Sequence, residues 1–326
     1  MSNIPSSPPV IPPLAESNDR PLWSVMIPVY NCAQFLPETL ESVLLQEIPE
    51  TEMQIEVVDD ASTDIDVAAL VNQIGKGRVK YFRQAQNVGS LLNFETCINR
   101  SRGTLIHILH GDDKVRKGYY HKMGELFRKY PEAGAAFCRF SCIDEHGRKV
   151  YDKRREIKQA GILQNWLITI GERQHIQYAA ITVRREVYEK LGAFFGITYG
   201  EDWEMWVRIA RNYPVAYLPD MLADYRMHSN STSGKKFITG EYLQDLLQAM
   251  KLIQKYLPED KRQSILNKSK KYYASYGIKV ADELWSKLHD QQVINAHIKQ
   301  ILSLYKSPKI YLLIILLYFK VKLSRQ

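Results

Sequence analysis

The stretch Leu105-Ile106-His107-Ile108-Leu109-His110-Gly111-Asp112-Asp113 is the part of the sequence that decides the fold. Its first five residues favour a short buried strand, and two adjacent carboxylates, Asp112 and Asp113, follow that strand. In open α/β sheets, ligands bind in the crevice beyond the carboxyl ends of the strands. Neighbouring carboxylates repel each other, so a site that keeps them close usually also holds a cation or a shared proton. The stretch therefore predicts a ligand site at the edge of an α/β sheet.

The chain on both sides of this stretch alternates between strand patterns and helix patterns. Strands are predicted at Trp23 to Val29, Ile55 to Val58, Arg78 to Phe82 and Leu105 to Leu109, with helices between them. This alternation indicates βαβ units and a parallel sheet. The second strand also ends in an aspartate pair, Asp59-Asp60. Two strands that end in paired aspartates indicate a metal and nucleotide site.

Length and composition are those of an ordinary globular protein with a positive net charge. The 326 residues are enough for one large domain or two smaller ones, and 45% of them are hydrophobic and 25% charged. A net charge of +8 favours phosphate-bearing partners such as nucleotides, anionic lipids or nucleic acids. The four cysteines lack the spacing of a zinc site, and the first residues lack the pattern of a signal peptide. A cytoplasmic location with reduced cysteines is therefore expected.

Three segments differ in composition. Residues 1–20 are rich in Pro and Ser and predict a disordered or loosely docked tail, residues 21–240 contain the α/β pattern, and residues 241–326 predict helices only. The last predicted helix, residues 308–323, contains an apolar run about half as long as a bilayer-spanning helix needs. Basic residues flank this run, which favours peripheral contact with an anionic membrane surface. The alternative is burial against the globular domain or against the partner in a dimer.

Six stretches, in this order, resemble the family 2 glycosyltransferases, which are inverting enzymes with the GT-A fold. They are Val25-Met26-Ile27-Pro28-Val29-Tyr30-Asn31, Glu56-Val57-Val58-Asp59-Asp60-Ala61-Ser62-Thr63-Asp64, Asn87-Val88-Gly89 with Gly103, His110-Gly111-Asp112-Asp113, Gly200-Glu201-Asp202, and Tyr225-Arg226-Met227-His228. In many relatives the fourth stretch begins with an aspartate where this chain has His110. The resemblance implies a Rossmann-like, mostly parallel sheet flanked by helices, with the helical segment as a C-terminal extension.

The resemblance also implies a role for each aspartate. Asp113 and His228 would bind a divalent cation, Mn²⁺ or Mg²⁺, which stabilises the negative charge of a departing nucleoside diphosphate. Asp112 would contact the ribose or the water shell of the cation, and Asp60 would accept a hydrogen bond from the nucleobase. Asp202 would be the general base, because a single displacement needs a carboxylate that takes the proton of the attacking hydroxyl.

The remaining expected site residues bind the substrates. Those implied by the resemblance are Pro28 and Tyr30 as the wall of the nucleobase pocket, Asn31 and Asn87 on the nucleotide side, Glu201 at the acceptor, and Arg226 beside the diphosphate. The expected function is transfer of a sugar from a nucleotide sugar, a UDP-sugar by resemblance, to a hydroxyl of a saccharide or lipid-linked acceptor. Such a reaction belongs to the synthesis of surface polysaccharide or cell-envelope glycan.

Two other classes of protein share parts of this sequence pattern. A dinucleotide-binding oxidoreductase should have G-x-G-x-x-G after the first strand, where Pro28-Val29-Tyr30-Asn31 stands instead. A non-catalytic nucleotide-sugar-binding or scaffold protein on the same fold remains the alternative, although both aspartate pairs and Asp202 are present. With a nucleotide-sugar donor as the expected partner, no nucleic acid is predicted, and the sequence is compatible with an oligomer.

Overall fold

The computed structural model describes residues 4–15, 20–229 and 231–323. The chain divides into two compact units, of which the first comprises Met1–Trp166 and His175–Met227. The second unit comprises Leu167–Gln174 and His228–Gln326. The division after Met227 lies upstream of the boundary at residue 240 that composition predicts, and a short internal segment also belongs to the second unit.

The first unit is built around one sheet. Its strands are β1 (Trp23–Val29), β2 (Met53–Asp59), β3 (Lys80–Arg83), β4 (Leu105–Ile108), β5 (Lys114–Val115), β6 (Ala135–Ile143), β7 (Lys149–Asp152), β8 (Gly161–Ile162), β9 (Ile181–Arg184) and β10 (Val215–Arg226). Its helices are α1 (Leu36–Leu44), α2 (Val67–Gly75), α3 (Ser90–Arg100), α4 (Tyr119–Lys129), α6 (Arg185–Leu191) and α7 (Glu201–Asn212). Helix α5 (Trp166–Glu172) begins at the boundary between the two units.

The order of strands across the sheet is β3-β2-β1-β4-β9-β6-β10-β5. The first four run parallel to one another, and so do β6 and β10. Strand β9 lies between these two groups and is antiparallel to both β4 and β6. Both β1 and β2 are buried along their whole length, as expected for parallel strands covered by helices on both faces. The predicted α/β fold with a mostly parallel sheet is confirmed.

Two glycines allow the chain to pass close to β1. A Cβ atom on Gly103 would lie 2.4 Å from the carbonyl carbon of Trp23, so only glycine fits where the chain enters β4. A Cβ atom on Gly111 would lie 2.8 Å from Cys32 Sγ and 3.0 Å from Val29 Cγ2. Gly103 thus allows a close approach at the amino ends of β1 and β4, and Gly111 allows one at their carboxyl ends.

The N-terminal segment makes contacts with the rest of the first unit within residues 4–15. The backbone N–H of Ala193 donates to the carbonyl of Pro9 at 2.9 Å, and Ile11 is buried. Proline lacks an N–H group, but its carbonyl still accepts hydrogen bonds, and one apolar side chain adds buried area. Together they attach a segment whose composition alone predicts no fold. The rest of the predicted tail before Arg20, residues 1–3 and 16–19, lies outside the described residues.

Regular structure in the described part of the second unit is helical, as predicted. Its helices after residue 228 are α8 (Thr232–Thr239), α9 (Tyr242–Ile253), α10 (Arg262–Leu288), α11 (Gln291–Leu304) and α12 (Pro308–Leu323). One face of α12 is buried, through Ile310, Ile314, Leu317 and Val321. Its other face exposes Leu312, Ile315, Leu316, Phe319 and Leu323. Among the described residues, no helix has the length and apolar content needed to cross a membrane.

Candidate active site

The carboxyl ends of β1, β2 and β4 meet at one edge of the sheet. The N–H of Asp60 donates to the carbonyl of Val29 at 2.8 Å, and the N–H of Gly111 donates to the carbonyl of Pro28 at 3.2 Å. These bonds place both aspartate pairs beside the turn that follows β1. The structure therefore brings the residues expected at the nucleobase pocket to the same edge as Asp112 and Asp113.

Asp60 connects the end of β2 to the loop before α3. Its Oδ1 accepts from the N–H of Val88 at 2.7 Å, and its Oδ2 accepts from the N–H of Gly89 at 2.9 Å. The side-chain amide of Asn87 donates to the carbonyl of Asp60 at 3.3 Å. Burial raises the pKa of Asp60, and the two N–H groups act against that rise. Each carboxylate oxygen still has a lone pair for a ligand such as a nucleobase.

The turn after β1 is fixed by Asn31, while Tyr30 stays accessible. The side chain of Asn31 accepts from the N–H of Thr63 at 2.7 Å, and the N–H of Asn31 donates to Ser62 Oγ at 3.0 Å. Tyr30 is 52% exposed. A ring that is held on an ordered turn and is half exposed offers a π face on which a base can stack.

Asp113 is one of the deeply buried acids at this edge, with 1% of its surface exposed. Its Oδ1 accepts from the backbone N–H of Arg226 at 2.8 Å, and its carbonyl accepts from Thr39 Oγ1 at 2.8 Å. Its Oδ2 is buried and has no hydrogen-bond partner among the described residues. Burial and the neighbouring charge of Asp112 raise the pKa of Asp113 well above its usual range. A buried acceptor without a partner costs free energy, and a bound cation would remove that cost.

A three-residue cluster of potential ligands surrounds this oxygen. One ligand atom from each of His110, Asp112 and Asp113 lies within 4.8 Å of the others. Two carboxylates and an imidazole are donors that a divalent cation accepts. The residues present therefore fit such a cation. No role for His110 is predicted from the sequence, where its position at the start of the acidic motif is the signal that could have pointed to one.

Aromatic rings hold the side chain of His110. Its ring lies 5.2 Å from the ring of Phe94, nearly parallel to it, and 4.3 Å from the ring of Tyr178. The Nε2 atom is buried and has no hydrogen-bond partner among the described residues. Burial lowers the pKa of His110, which favours the neutral ring and leaves a nitrogen lone pair for a ligand.

Arg226 organises the loop that contains the aspartates. Its Nε donates to the carbonyl of Asp112 at 2.9 Å, and its Nη1 donates to the carbonyls of Asp144 and Glu145, each at 3.3 Å. Its Nη2 donates to Glu38 Oε2 at 3.0 Å. The buried guanidinium is thus a positioning group for the Asp112-Asp113 loop. Its expected contact with a diphosphate stays a prediction.

Replacing Arg226 with lysine should lower the free energy of unfolding by about 2–4 kcal/mol, because one ammonium cannot satisfy carbonyls on both sides of the guanidinium. Chemical denaturation of both proteins measures this difference. The matched control is Glu38→Gln, which removes the ion pairs of the half-exposed Glu38 with Arg226 and Lys114 but keeps the guanidinium, and it should cost about 1 kcal/mol or less. Equal stability of Arg226→Lys and the unaltered chain would contradict the positioning role.

The residues expected at the acceptor lie at the start of α7. Gly200 precedes the helix with a φ of +89°, and Glu201 and Asp202 occupy its first turn, where carboxylates are favoured by the helix dipole. Asp202 is half-buried and accepts from the N–H of Trp203.

Tyr178 donates its hydroxyl to Glu201 at 3.2 Å while its ring lies on His110. Tyr178 thus joins the acceptor motif to the acidic loop, a role that the sequence analysis missed because Tyr178 stands in no motif.

His228 belongs to the second unit. Its carbonyl accepts from the hydroxyl of Ser231 at 2.9 Å, and Ser231 in turn caps the start of α8 by accepting from Gly234. The expected role of His228 as a cation ligand stays a prediction.

Comparison with known proteins identifies related sequences. The model described as glycosyl transferase family 2 matches residues 24–192, which is more than half of the chain. The putative teichuronic acid biosynthesis glycosyltransferase TuaG of Bacillus subtilis is 26% identical, over 68% of this chain and 85% of that protein.

Solved structures share the architecture at lower sequence identity. S. aureus TarS 1–349 in complex with UDP-GlcNAc superposes with a TM-score of 0.65 and 19% identity, over 93% of this chain and 91% of that one. The mannosyltransferase PcManGT from Pyrobaculum calidifontis, in complex with GDP-Man and Mn²⁺, has a TM-score of 0.59 and 16% identity, over 95% and 82% of the chains. At these identities the likeness concerns the fold.

Proposed function

The chain belongs to glycosyl transferase family 2 and has the GT-A fold, and on this premise we propose that it is an inverting, metal-dependent glycosyltransferase. The donor is a nucleoside-diphosphate sugar, a UDP-sugar in this proposal, and the acceptor is a hydroxyl of a saccharide or lipid-linked glycan. The observation that most supports the proposal is the cluster of His110, Asp112 and Asp113 at the end of β4, beside the Asp60 loop.

Asp113 and Asp112 would hold a divalent cation, Mn²⁺ or Mg²⁺, with His228 as a further expected ligand. When bound, the cation acts as a Lewis acid that stabilises the charge of the leaving diphosphate. The unpartnered Oδ2 of Asp113 supports this assignment, as does the Mn²⁺ in the complex of PcManGT. Asp60 and Tyr30 would hold the nucleobase, by a hydrogen bond and by stacking. Asn31 and Asn87 fix the two loops that carry them.

Asp202 would be the general base. In a single displacement, the carboxylate takes the proton of the acceptor hydroxyl as that oxygen attacks the anomeric carbon. The position of Asp202 in the first turn of α7 supports this role, because Tyr178 links that turn to His110. Glu201, held by the hydroxyl of Tyr178, would orient the acceptor.

Synthesis of cell-envelope glycan is the process that we propose for this transfer. The similarity to TuaG, named for teichuronic acid biosynthesis, supports the process, and the fold shared with TarS, solved with UDP-GlcNAc, supports a UDP-sugar. The alternative is a non-catalytic nucleotide-sugar-binding or scaffold protein on the same fold.

A screen of nucleotide sugars tests the proposal. We expect one donor to be hydrolysed or transferred with Mn²⁺ or Mg²⁺ present, and chelator to abolish its consumption. Calorimetry on the same donors separates the two candidates, because a scaffold protein would bind a nucleotide sugar without consuming it. Consumption that continues undiminished in chelator would contradict the metal-dependent mechanism.

Helix α12 would hold the enzyme at an anionic membrane, at the cytoplasmic face. Its exposed side chains Leu312, Ile315, Leu316, Phe319 and Leu323 recur at intervals of three, four and seven residues, so they form one apolar face. Lysines 306, 309, 320 and 322 flank that face. An apolar face with basic edges binds the interface of an anionic bilayer by insertion and by charge attraction.

Replacing Leu316 and Phe319 together with glutamate should reduce binding to anionic vesicles by tenfold or more. Each buried apolar side chain contributes about 1.5–3 kcal/mol, and each new charge is repelled by the lipid. Co-sedimentation with vesicles that contain phosphatidylglycerol measures the effect. The control is Val150→Glu, an equally exposed site in the first unit, which should bind as the unaltered chain does. If the double variant bound vesicles as well as the unaltered chain does, the exposed apolar face of α12 would not be the membrane contact and would serve another contact, such as a dimer.

A further inference from the structure

We propose that His110 is a direct ligand of the divalent cation and that its nitrogen makes the site prefer Mn²⁺ to Mg²⁺. This inference rests on the proposed function, because the cation is part of the proposed transfer. His110 stands two residues before Asp112 in the acidic stretch, and it is the one nitrogen donor of the cluster.

The geometry of the cluster supports three ligands on one ion. Two ligand atoms that are each about 2.1 Å from an ion are at most about 4.2 Å apart. The ligand atoms of His110, Asp112 and Asp113 lie within 4.8 Å of one another. A movement of about half an ångström would therefore bring all three to one ion, which is within the range of ordinary side-chain adjustment.

The surroundings of His110 leave its nitrogen available. Phe94 and Tyr178 hold the ring by stacking, so the ring is oriented without a hydrogen bond to Nε2. Asp113 Oδ2 is likewise buried without a partner among the described residues, in a side chain that is 1% exposed. Buried polar atoms normally have partners, and one bound cation would supply a partner to both of these atoms.

The choice between metals follows from the donor set. Mg²⁺ prefers oxygen ligands and keeps much of its water shell, whereas imidazole suits transition metals. An aspartate at position 110 would give three carboxylates and one more negative charge, which favours Mg²⁺. Histidine replaces that charge with a neutral nitrogen donor, so Mn²⁺ should lose less affinity than Mg²⁺.

Direct metal binding to the full-length chain tests the proposal without an activity assay. The probes are Mn²⁺, followed by the loss of the free-ion paramagnetic resonance signal, and Mg²⁺, followed by calorimetry. We expect His110→Asn to weaken Mn²⁺ binding by about tenfold or more, as even loss of an outer partner of a ligand does. His110→Asp should lower the ratio of Mn²⁺ to Mg²⁺ affinity by about tenfold. His121→Asn, at an exposed histidine on α4, is the matched control and should bind both ions unchanged.

The outcomes separate this inference from the proposed function. If the unaltered chain binds neither ion, the metal-dependent function fails and this inference fails with it. If it binds Mn²⁺ and His110→Asn binds it equally well, only this inference is overturned. If His110→Asn does not fold, electron spin-echo modulation of Mn²⁺ bound to the His228→Asn variant decides instead, because His228 is the other histidine expected at the cation. A coordinated imidazole nitrogen is expected there, and its absence would overturn the proposal.

Discussion

Replacing Asp202 with asparagine should lower kcat for sugar transfer by about a thousandfold, within the range that general base catalysis usually contributes. The amide cannot take the proton of the acceptor hydroxyl, so the oxygen must attack before it has lost that proton. Its carbonyl oxygen can still accept from the N–H of Trp203, as Asp202 does, so the first turn of α7 should keep its conformation. The Kd for the nucleotide sugar should therefore stay unchanged.

The matched control is Asp66→Asn. Asp66 is also a carboxylate at the start of a helix in the first unit, where it caps α2 by accepting from the N–H of Ala69. An amide oxygen can keep that cap, so transfer by this variant should equal that of the unaltered chain. Single-turnover kinetics with a saturating donor measure both variants. Unchanged transfer by Asp202→Asn, with normal donor binding, would show that another group is the base.

The sequence was sufficient to predict the half of the sheet that contains the acidic residues. Strands β1, β2 and β4 are mostly apolar, are followed by polar turns, and are separated from one another by helix patterns. Such strands are parallel neighbours because a βαβ unit has few other arrangements. Their carboxyl ends then have to meet, which is why two aspartate pairs distant in sequence could be assigned to one edge.

The other half of the sheet depends on contacts that no local pattern contains. The sequence predicts two short strands after Pro214, from Val215 to Leu218 and from Leu222 to Met227. The structure instead has the single strand β10, Val215–Arg226, with register shifts between Leu218 and Ala223. The proline within β10 removes one N–H donor, and the strand absorbs that loss as an irregularity because pairing with β6 continues on both sides. The antiparallel insertion of β9 between β4 and β6 is equally invisible in sequence.

The same limit explains which site residues could be predicted. A motif shows which side chains recur, and not which of their atoms already have partners within the chain. Arg226 has the charge for a diphosphate, yet its guanidinium donates to Asp112, Asp144, Glu145 and Glu38. Tyr178 stands in no motif, and its contact with His110 exists only because β4 and β9 are adjacent.

Replacing Asp113 with asparagine should have opposite effects on activity and on stability. Without the negative charge of Asp113 the chain no longer binds the cation, so the transition state loses several kcal/mol of stabilisation. The rate of sugar transfer should therefore fall by about a thousandfold. In chelator, however, the variant should unfold at a higher denaturant concentration than the unaltered chain. The amide oxygen can still accept from the N–H of Arg226, while the buried carboxyl next to Asp112 is gone.

The difference in stability between Asp113→Asn and the unaltered chain should change with pH in a definite direction. Burial raises the pKa of Asp113, so the folded chain binds this proton more tightly than the unfolded chain does. Stability of the unaltered chain therefore falls as pH rises above the ordinary pKa of an aspartate, and Asp113→Asn removes that fall. Its advantage in chelator should be larger at pH 8 than at pH 5. With Mn²⁺ added, only the unaltered chain should become more stable.

Asp59, another buried aspartate at this edge, is the matched control, because both of its carboxylate oxygens have hydrogen-bond partners. It accepts from the N–H of Ser62, the hydroxyl of Tyr81 and the guanidinium of Arg83. Asp59→Asn places an amide N–H against donors and should lower stability by about 1–2 kcal/mol. The same substitution at two equally buried positions should therefore change stability in opposite directions. If Asp113→Asn also lowered stability in chelator, that result would contradict the assignment of Asp113 Oδ2 as a ligand of the cation.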